Sequence, residues 1–412
     1  MKADLRSRLT KSILIVFLLA PVLTGCWDRM EIEERAVVLG ISVDAAPKEA
    51  ERREDEVTHT MEGYPVPTTD MIRVTVQIAL PGKIPLGPGE GGGGGGEKSG
   101  QTVWVVSTEG HTIDDAIMNM QQQISGRIFF GHLRVIVVSD ELAKLGMQNI
   151  NDYFRRNSEV RRMAWMMISK GKAERLLRAA PELERVPALY LMSTMDNAVK
   201  QGRFPVNYVG MFWSNSAKKG QEPFLPYIEL KKQQNVELKG LAYFQGDRMV
   251  GATRPFQIAA YMAIRGMNPA GYRGVVKLEG EKNAVTVYAT SRRSDYHARV
   301  ENGNLRVKVS IFTEINLEEK INEQFNVKSS DALRDIETRN EQSLKKEVEN
   351  LIWELQAKGS DIFGFGEYVR AKKSGYWNAR IGTKEKWQLA FRDLDVEVRV
   401  ESRIRRIGMK AK

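Results

Sequence analysis

Phe130-Gly131-His132-Leu133-Arg134-Val135-Ile136-Val137-Val138 is the stretch on which the fold turns. A strand with one wet face alternates apolar and polar residues. The run at 134–138 (RVIVV) does not alternate after its arginine, which is the pattern of a strand covered on both faces. Ahead of it, 102–108 reads as a strand. Residues 112–125 read as a helix with Ile113, Ala116, Ile117, Met120 and Ile124 on one side. Behind it come helices at 141–145 and 147–156 and a strand at 164–169. Strands alternating with helices indicate a mixed sheet with helices packed on it.

Toward the N-terminus, 36–44 (AVVLGISVD) reads as a buried strand. Residues 71–80 are its returning partner, with Ile72, Val74, Val76 and Ile78 on one face. Between them, 47–69 is charged and aperiodic, a solvated excursion. Residues 81–100 include an unbroken oligoglycine run at 91–96 and read as a flexible loop. The string GGGGGGEKS looks superficially like a phosphate-binding loop. That motif needs lysine directly after its last glycine, and here Glu97 separates Gly96 from Lys98, so the reading fails.

Toward the C-terminus, 187–220 reads as a helical hairpin or linker containing Met192, Met195, Met211, Phe212 and Trp213. Such a cluster suits either a buried inter-domain joint or an exposed partner-binding surface. From Phe224 strands dominate. Segments 236–244 and 248–252 flank a turn at Gln245-Gly246-Asp247, and 275–278 and 285–289 are short strands. Segments 295–301 and 305–313 flank a second turn at Asn302-Gly303-Asn304. The longest helix spans 330–357, with Leu333, Ile336, Leu344, Val348, Leu351, Ile352 and Leu355 as its apolar stripe and Gly359 as its stop. A closing strand turns Val396, Val398, Val400 and Ile404 inward and Asp395, Glu397, Arg399, Glu401 and Arg403 outward.

The predicted fold is multi-domain and α+β, with mixed α/β character. An N-terminal mixed sheet flanked by helices occupies 26–186, and a middle domain with a helical lead-in and short strands occupies 187–294. A C-terminal antiparallel sheet with the long helix occupies 295–412.

Residues 1–25 read as an export signal. Lys2, Arg6, Arg8 and Lys11 form a basic start, and 13–20 is an unbroken apolar run. Leu23-Thr24-Gly25-Cys26 then has the form of a lipobox, with Cys26, the chain's sole cysteine, as the lipid attachment site. The uncharged stretch is too short, and broken by Pro21, for a span that needs about 20 apolar residues. Two or more acyl chains, palmitate among them, would anchor the body stably at about 0.8 kcal/mol per buried methylene. An ordinary secreted protein with a chance cysteine, or a short uncleaved anchor, are the alternatives.

The formal net charge is +10, and removal of four bases and one acid with residues 1–25 leaves +7. That balance suits a solubilised surface. It also suits contact with anionic headgroups, for which the C-terminal Arg403, Arg405, Arg406, Lys410 and Lys412 are the candidates. An exported, tethered chain is not expected to meet nucleic acid. With Cys26 bridged to nothing in the chain, no internal disulfide is expected.

No catalytic constellation emerges. His59, His111, His132 and His297 lack metal-ligand spacing, and His132 precedes a buried strand, where a structural role fits. No Gly-x-Ser-x-Gly elbow is present. The carboxylate pairs Asp114/Asp115 and Glu318/Glu319 lie on polar faces. The expectation is a non-enzyme with no catalytic residues, metal or cofactor.

Several stretches, in order along the chain, together carry a resemblance. They are Leu23-Thr24-Gly25-Cys26-Trp27-Asp28-Arg29 with Glu31-Ile32, Val37-Val38-Leu39-Gly40-Ile41, and the oligoglycine loop. Then come the 130–137 stretch, Arg161-Arg162, and Gly240-Leu241-Ala242-Tyr243-Phe244 with Val250-Gly251. Asp361-Ile362-Phe363-Gly364-Phe365-Gly366-Glu367, Val396-Glu397-Val398-Arg399-Val400 and Ile404-Arg405-Arg406-Ile407-Gly408 complete the set. The sequence resembles the Ger(x)C family, the lipoprotein C subunits of nutrient germinant receptors in endospore formers. Departures are the long excursion at 47–69 and Met30, where a polar residue is more usual. The resemblance implies a three-domain body held on the outer face of the inner spore membrane. It implies integral-membrane A- and B-type partner subunits and a role in the response to amino acids, sugars or nucleosides. A solute-binding lipoprotein that captures a nutrient directly is the competing expectation.

Overall fold

A computed structural model of the protein describes residues 34–51, 70–80, 102–179, 184–232, 234–267, 273–278, 284–320 and 329–407. The signal segment with Leu23, Thr24, Gly25 and Cys26, most of the 47–69 excursion, His59 and the oligoglycine loop lie outside the described residues.

The apolar run at 135–138 lies in an interior strand of a nine-stranded sheet, as its unbroken apolarity requires. Strand β1 (Arg35–Ala45) is flanked by antiparallel β2 (Ile72–Ala79) on one side and parallel β5 (Val135–Ser139) on the other. The order is β3 (Val103–Gly110), β2, β1, β5, β6 (Trp165–Ser169), β7 (Phe224–Leu230), β8 (Val236–Gln245), β9 (Arg248–Ala252). The short β4 (Arg127–Phe129) pairs in parallel with the start of β1.

Helices cover both faces, which is why every residue of β5 and β6 is buried. On one face lie α1 (Ile113–Gln121), α2 (Asp140–Leu145), α3 (Gln148–Arg156) and, from further along the chain, α6 (Val209–Ser216). On the other lie α4 (Glu174–Arg178), α5 (Pro187–Lys200) and α7 (Gln257–Ile264). The second covering layer reaches even the polar positions of β2. Gln77 is fully buried, its amide donating to the Leu177 carbonyl at 2.8 Å while its oxygen accepts the Ala188 N–H at 3.0 Å. Of the methionine and aromatic cluster at 187–220, Met195 and Phe212 are core residues on opposite faces of the sheet, whereas Met211 is exposed.

The sheet does not stop at residue 186. β6 hydrogen-bonds in parallel to β7, so the strands after the helical lead-in extend the N-terminal sheet.

The second sheet has the order β10 (Arg273–Lys277), β11 (Ala284–Glu301), β12 (Asn304–Lys320), β13 (Asp395–Ile407). The segments expected as separate strands at 285–289 and 295–301 are one strand, β11, which runs across 294/295 and bulges between Ala289 and Ser291. The β11–β12 hairpin turns on Asn302 and Gly303, whose φ of 50° and 81° suit the tight two-residue turn.

Two of the three pairings are antiparallel, as expected for the C-terminal sheet. The closing strand departs from the expectation: β13 runs parallel to β12. Parallel neighbours need a long crossover. That crossover is α8 (Ser330–Ala357) followed by α9 (Phe365–Lys372), a π-helical turn at Trp377–Ile381 and α10 (Lys384–Arg392). α8 begins where Ser329 caps the N–H of Ala332 and ends at Gly359, φ 62°.

Candidate functional site

The most elaborate buried polar arrangement among the described residues lies where the two sheets meet, and it is built on the string 361–367. Asp361 is buried, with only 1% of its surface exposed. One carboxylate oxygen accepts the N–H of Gly364 at 2.8 Å; the other accepts the N–H of Gly366 at 2.9 Å and the indole N–H of Trp387 at 3.0 Å. The local sequence makes this possible. Gly364, at φ 80°, turns the chain in the left-handed region, so the following amides point back at the aspartate and α9 starts beneath it. Burial pushes the Asp361 carboxyl up to about 6, against the opposing pull of these N–H donors.

The segment before β7 docks onto this turn. The Glu222 N–H donates to the Asp361 carbonyl at 2.8 Å. Gly220 and Glu367 exchange two bonds: the Gly220 N–H donates to the Glu367 carboxylate at 2.8 Å and the Glu367 N–H to the Gly220 carbonyl at 3.0 Å. The backbones approach so closely that a Cβ on Gly220 would lie 2.3 Å from the Gly366 carbonyl carbon. A Cβ on Gly366 would lie 2.4 Å from the Trp387 ring. Glycine is the residue both positions can hold.

Glu222 is the second buried acid. It accepts from Gly246 N–H at 2.9 Å, from the Gln388 amide at 2.7 Å and from Lys384 Nζ at 3.1 Å. Desolvation raises its pKa, and Lys384 offsets that rise. Ser360 donates its hydroxyl to the Phe244 carbonyl at 2.5 Å, and Arg265 donates to the Phe363 carbonyl at 2.7 Å. Around these polar ties, Phe363, Phe365, Trp387 and Phe391 belong to the same apolar core as Phe224, Leu241 and Tyr243 of the first sheet. Chemically, the arrangement ties two bodies together. Its carboxylates are saturated by internal donors rather than aimed into a cleft, which suits a fixed structural tie.

The residues singled out from sequence do not converge here. His111 follows β3, His132 stands in the turn before β5 with its ring edge-on to Phe129, and His297 lies exposed on β11. Asp115 accepts the His111 N–H at 2.8 Å and so shapes the start of α1. Glu318 is paired with Arg273 at 2.6 Å on the second sheet. Arg403 and Arg405 pair with Glu401 and Glu314. Among the described residues no three His, Cys, Asp or Glu side chains gather as a metal site, and no helix is long and apolar enough to cross a membrane. The role of Asp361 is invisible in sequence, although its string, an acid followed by two glycines among aromatics, marks an unusual turn.

Some bonds of the seam cross a division seen in comparison with known proteins, although β9 and most of β8 in the first sheet fall on the C-terminal side of it. A family model described as the spore germination protein N-terminal domain matches residues 28–230. A second, described as spore germination B3/GerAC like, C-terminal, matches 239–408. Gly220 and Glu222 fall in the first; Asp361, Gly366, Lys384 and Gln388 fall in the second. The putative spore germination protein YfkR of Bacillus subtilis is 26% identical over 389 residues, covering 92% of each chain. The spore germination protein KC of Bacillus subtilis is 23% identical over 97% of each chain. Spore germination protein GerQC of Bacillus cereus is 23% identical over 77% of this chain and 85% of its own. In fold, the chain is similar to the crystal structure of the GerBC protein, with a TM-score of 0.52 at 18% identity over 82% of this chain and 94% of that one. With both domain models matched in order across nearly its whole length, the chain belongs to the Ger(x)C family of spore germination proteins.

Proposed function

We propose that this protein is the lipid-anchored C-type subunit of a nutrient germinant receptor. In this reading it is held through Cys26 on the outer face of the inner spore membrane, and it acts as a non-catalytic coupling subunit beside integral-membrane A- and B-type partners. The observation that carries the reading is the in-order match of both germination domains behind a lipobox ending in the chain's sole cysteine. An anchor confines the body to a thin layer beside the membrane and so raises its effective concentration for partners there. The seam supports a coupling role, since it joins the two family domains by saturated buried hydrogen bonds. A solute-binding lipoprotein would close two similar lobes around its ligand; here a nine-stranded mixed sheet meets a four-stranded one of different topology.

The test is dipicolinic acid release from spores lacking the chain, across a panel of nutrients, with complementation. Loss of response to one nutrient class, restored by the wild-type gene but not by Cys26→Ala, is the expected result. A normal response from Cys26→Ala protein shown to be released from the membrane would refute the anchored reading.

A further inference from the structure

Where the chain enters the body, at Glu34 and the start of β1, it meets a cluster of arginines that no part of the germination reading uses. Gly126 packs against this entry, so closely that a Cβ there would lie 3.2 Å from the Glu34 carbonyl oxygen. Its neighbour Arg127 lies 4.0 Å from the Glu159 carboxylate, whose other oxygen accepts the Phe130 N–H at 2.9 Å. These contacts set the loop 157–164, between α3 and β6, against the point of entry. The loop carries Arg161-Arg162-Met163, and its backbone is committed inward. The Arg161 carbonyl accepts the Ala164 N–H at 3.1 Å, and the Arg162 carbonyl accepts the Gly210 N–H of α6 at 3.0 Å. The three side chains are left exposed, Met163 by 72% and, one residue past Gly210, Met211 by 41%. Arg155 stands on the last turn of α3, and Arg134, whose carbonyl accepts the Trp165 N–H at 2.9 Å, just ahead of β5. Among the described residues Arg134, Arg155, Arg161 and Arg162 have no carboxylate partner. Acids at this end are already engaged: Asp152 with Arg156 at 2.8 Å, Asp196 with the Trp165 indole N–H at 2.9 Å, and Glu159 as above. Glu34, exposed at the entry, leaves the balance cationic.

We propose that this end of the sheet rests on the bilayer, with the arginines on anionic lipid headgroups and Met163 and Met211 in the upper hydrocarbon. The proposal rests on the anchored reading at one point: eight peptide steps from Cys26 hold Glu34, and with it this surface, within about 29 Å of the lipidated residue. The remainder is local chemistry. Guanidinium forks free of internal acids suit lipid phosphates. Flexible thioethers need no shaped socket and so suit fluid acyl chains. The C-terminal arginines named from the sequence are less suited, since Arg403 and Arg405 already pair with Glu401 and Glu314.

Vesicle co-sedimentation tests the surface without the anchor. The chain from residue 26 onward, with Cys26→Ala, keeps Asp28, Glu31 and Glu33 ahead of Glu34, so any neutralisation by them is included. It is mixed with vesicles of phosphatidylcholine alone, or of equal parts phosphatidylcholine and phosphatidylglycerol. Binding to the anionic vesicles only, weakening as salt is added, is expected. Arg161→Gln with Arg162→Gln should weaken it about thirtyfold, the usual effect of two basic residues at an anionic surface. Arg403→Gln with Arg405→Gln removes the same charge from paired positions and should weaken it by no more than about twofold. Met163→Ser should weaken it about tenfold with the salt dependence kept. Unchanged thermal midpoints show that the variants fold. No binding to anionic vesicles, equal binding to both vesicles, or equal loss in the two arginine pairs would each overturn the proposal, the first of them leaving the surface to a protein partner. Lipidation of Cys26 is read separately, from the mass of the membrane-extracted protein, so the anchor and the surface can each fail alone.

Discussion

Replacing Asp361 by Asn isolates the electrostatics of the seam. In the folded chain burial pushes the Asp361 carboxyl up to about 6, from 3.8 in the absence of its surroundings. The folded state therefore holds the proton more tightly than the unfolded state. Between pH 3.8 and 6 the native chain binds more protons than the unfolded one, and stability falls as pH rises through that window. The gap corresponds to about 3 kcal/mol lost by pH 7 at about 1.36 kcal/mol per pH unit. The Asp361→Asn side chain carries no charge at any pH and has no such loss. Exchanging an oxygen for an amide adds a constant cost, because one of the three N–H donors from Gly364, Gly366 and Trp387 then faces an NH2 group, worth about 1–3 kcal/mol. That constant does not change with pH. The stability of the Asp361→Asn variant minus that of the wild type should thus rise by about 3 kcal/mol between about pH 4 and pH 7.5. Urea unfolding of the full-length protein, followed by the fluorescence of the seam tryptophans, measures it. Titration of Glu222 and of surface acids is common to both proteins and cancels. A flat difference would mean that the N–H donors fully balance desolvation, and a falling one that they outweigh it; either refutes the burial argument.

Gly366→Ala should destabilise by about 1–3 kcal/mol, because its Cβ would press on the Trp387 ring and on Gly220. Gly375→Ala, whose Cβ meets nothing within 4 Å, should be neutral or slightly stabilising, and thermal unfolding distinguishes them. Lys384→Met strands the buried Glu222 carboxylate and should cost about 3–5 kcal/mol at neutral pH, with most of the loss recovered by adding Glu222→Gln. A double-mutant cycle in denaturant checks that coupling.

The legible parts of the fold are those where one periodicity meets one environment. α8 is readable along its length because a single stripe of Leu, Ile and Val runs down it, even though its two ends pack into different core clusters, with Gly359 marking the stop. The burial of β5 on both faces follows from RVIVV alone. α7 carries no such signal: all its residues are buried, so it has no polar face to set a period. β11 reads as two strands because the polar residues at 290–294 look like a break, whereas in the sheet they continue a strand whose partner β12 runs alongside. The direction of β13 is equally hidden, since inward and outward alternation is the same in parallel and antiparallel pairing. At the seam the string 361–367 stands out as a pattern. Its partners Gly220, Glu222 and Lys384 are set by contacts across more than a hundred residues or within another helix, and no local spacing encodes them.

The seam also decides what kind of motion the body can transmit. Interfaces between domains that move are small and polar. This one passes an apolar core through itself, from Phe224 and Tyr243 to Phe363 and Trp387, and encloses two carboxylates whose ties are linked through the Glu222 N–H bond to Asp361. Opening it would expose that core and leave buried charges without donors together, so the two sheets move as one piece. On the proposed anchored reading, eight peptide steps from Cys26 to Glu34 let that piece range no further than about 29 Å from the lipidated residue. A partner would then sense displacement of the whole body rather than bending within it. Hydrogen exchange on receptor-containing membranes tests this. The Gly364 and Gly366 amides, sealed by Asp361, should keep their protection when germinant is added. Faster exchange at those two amides would show the seam opening and overturn the rigid-body view.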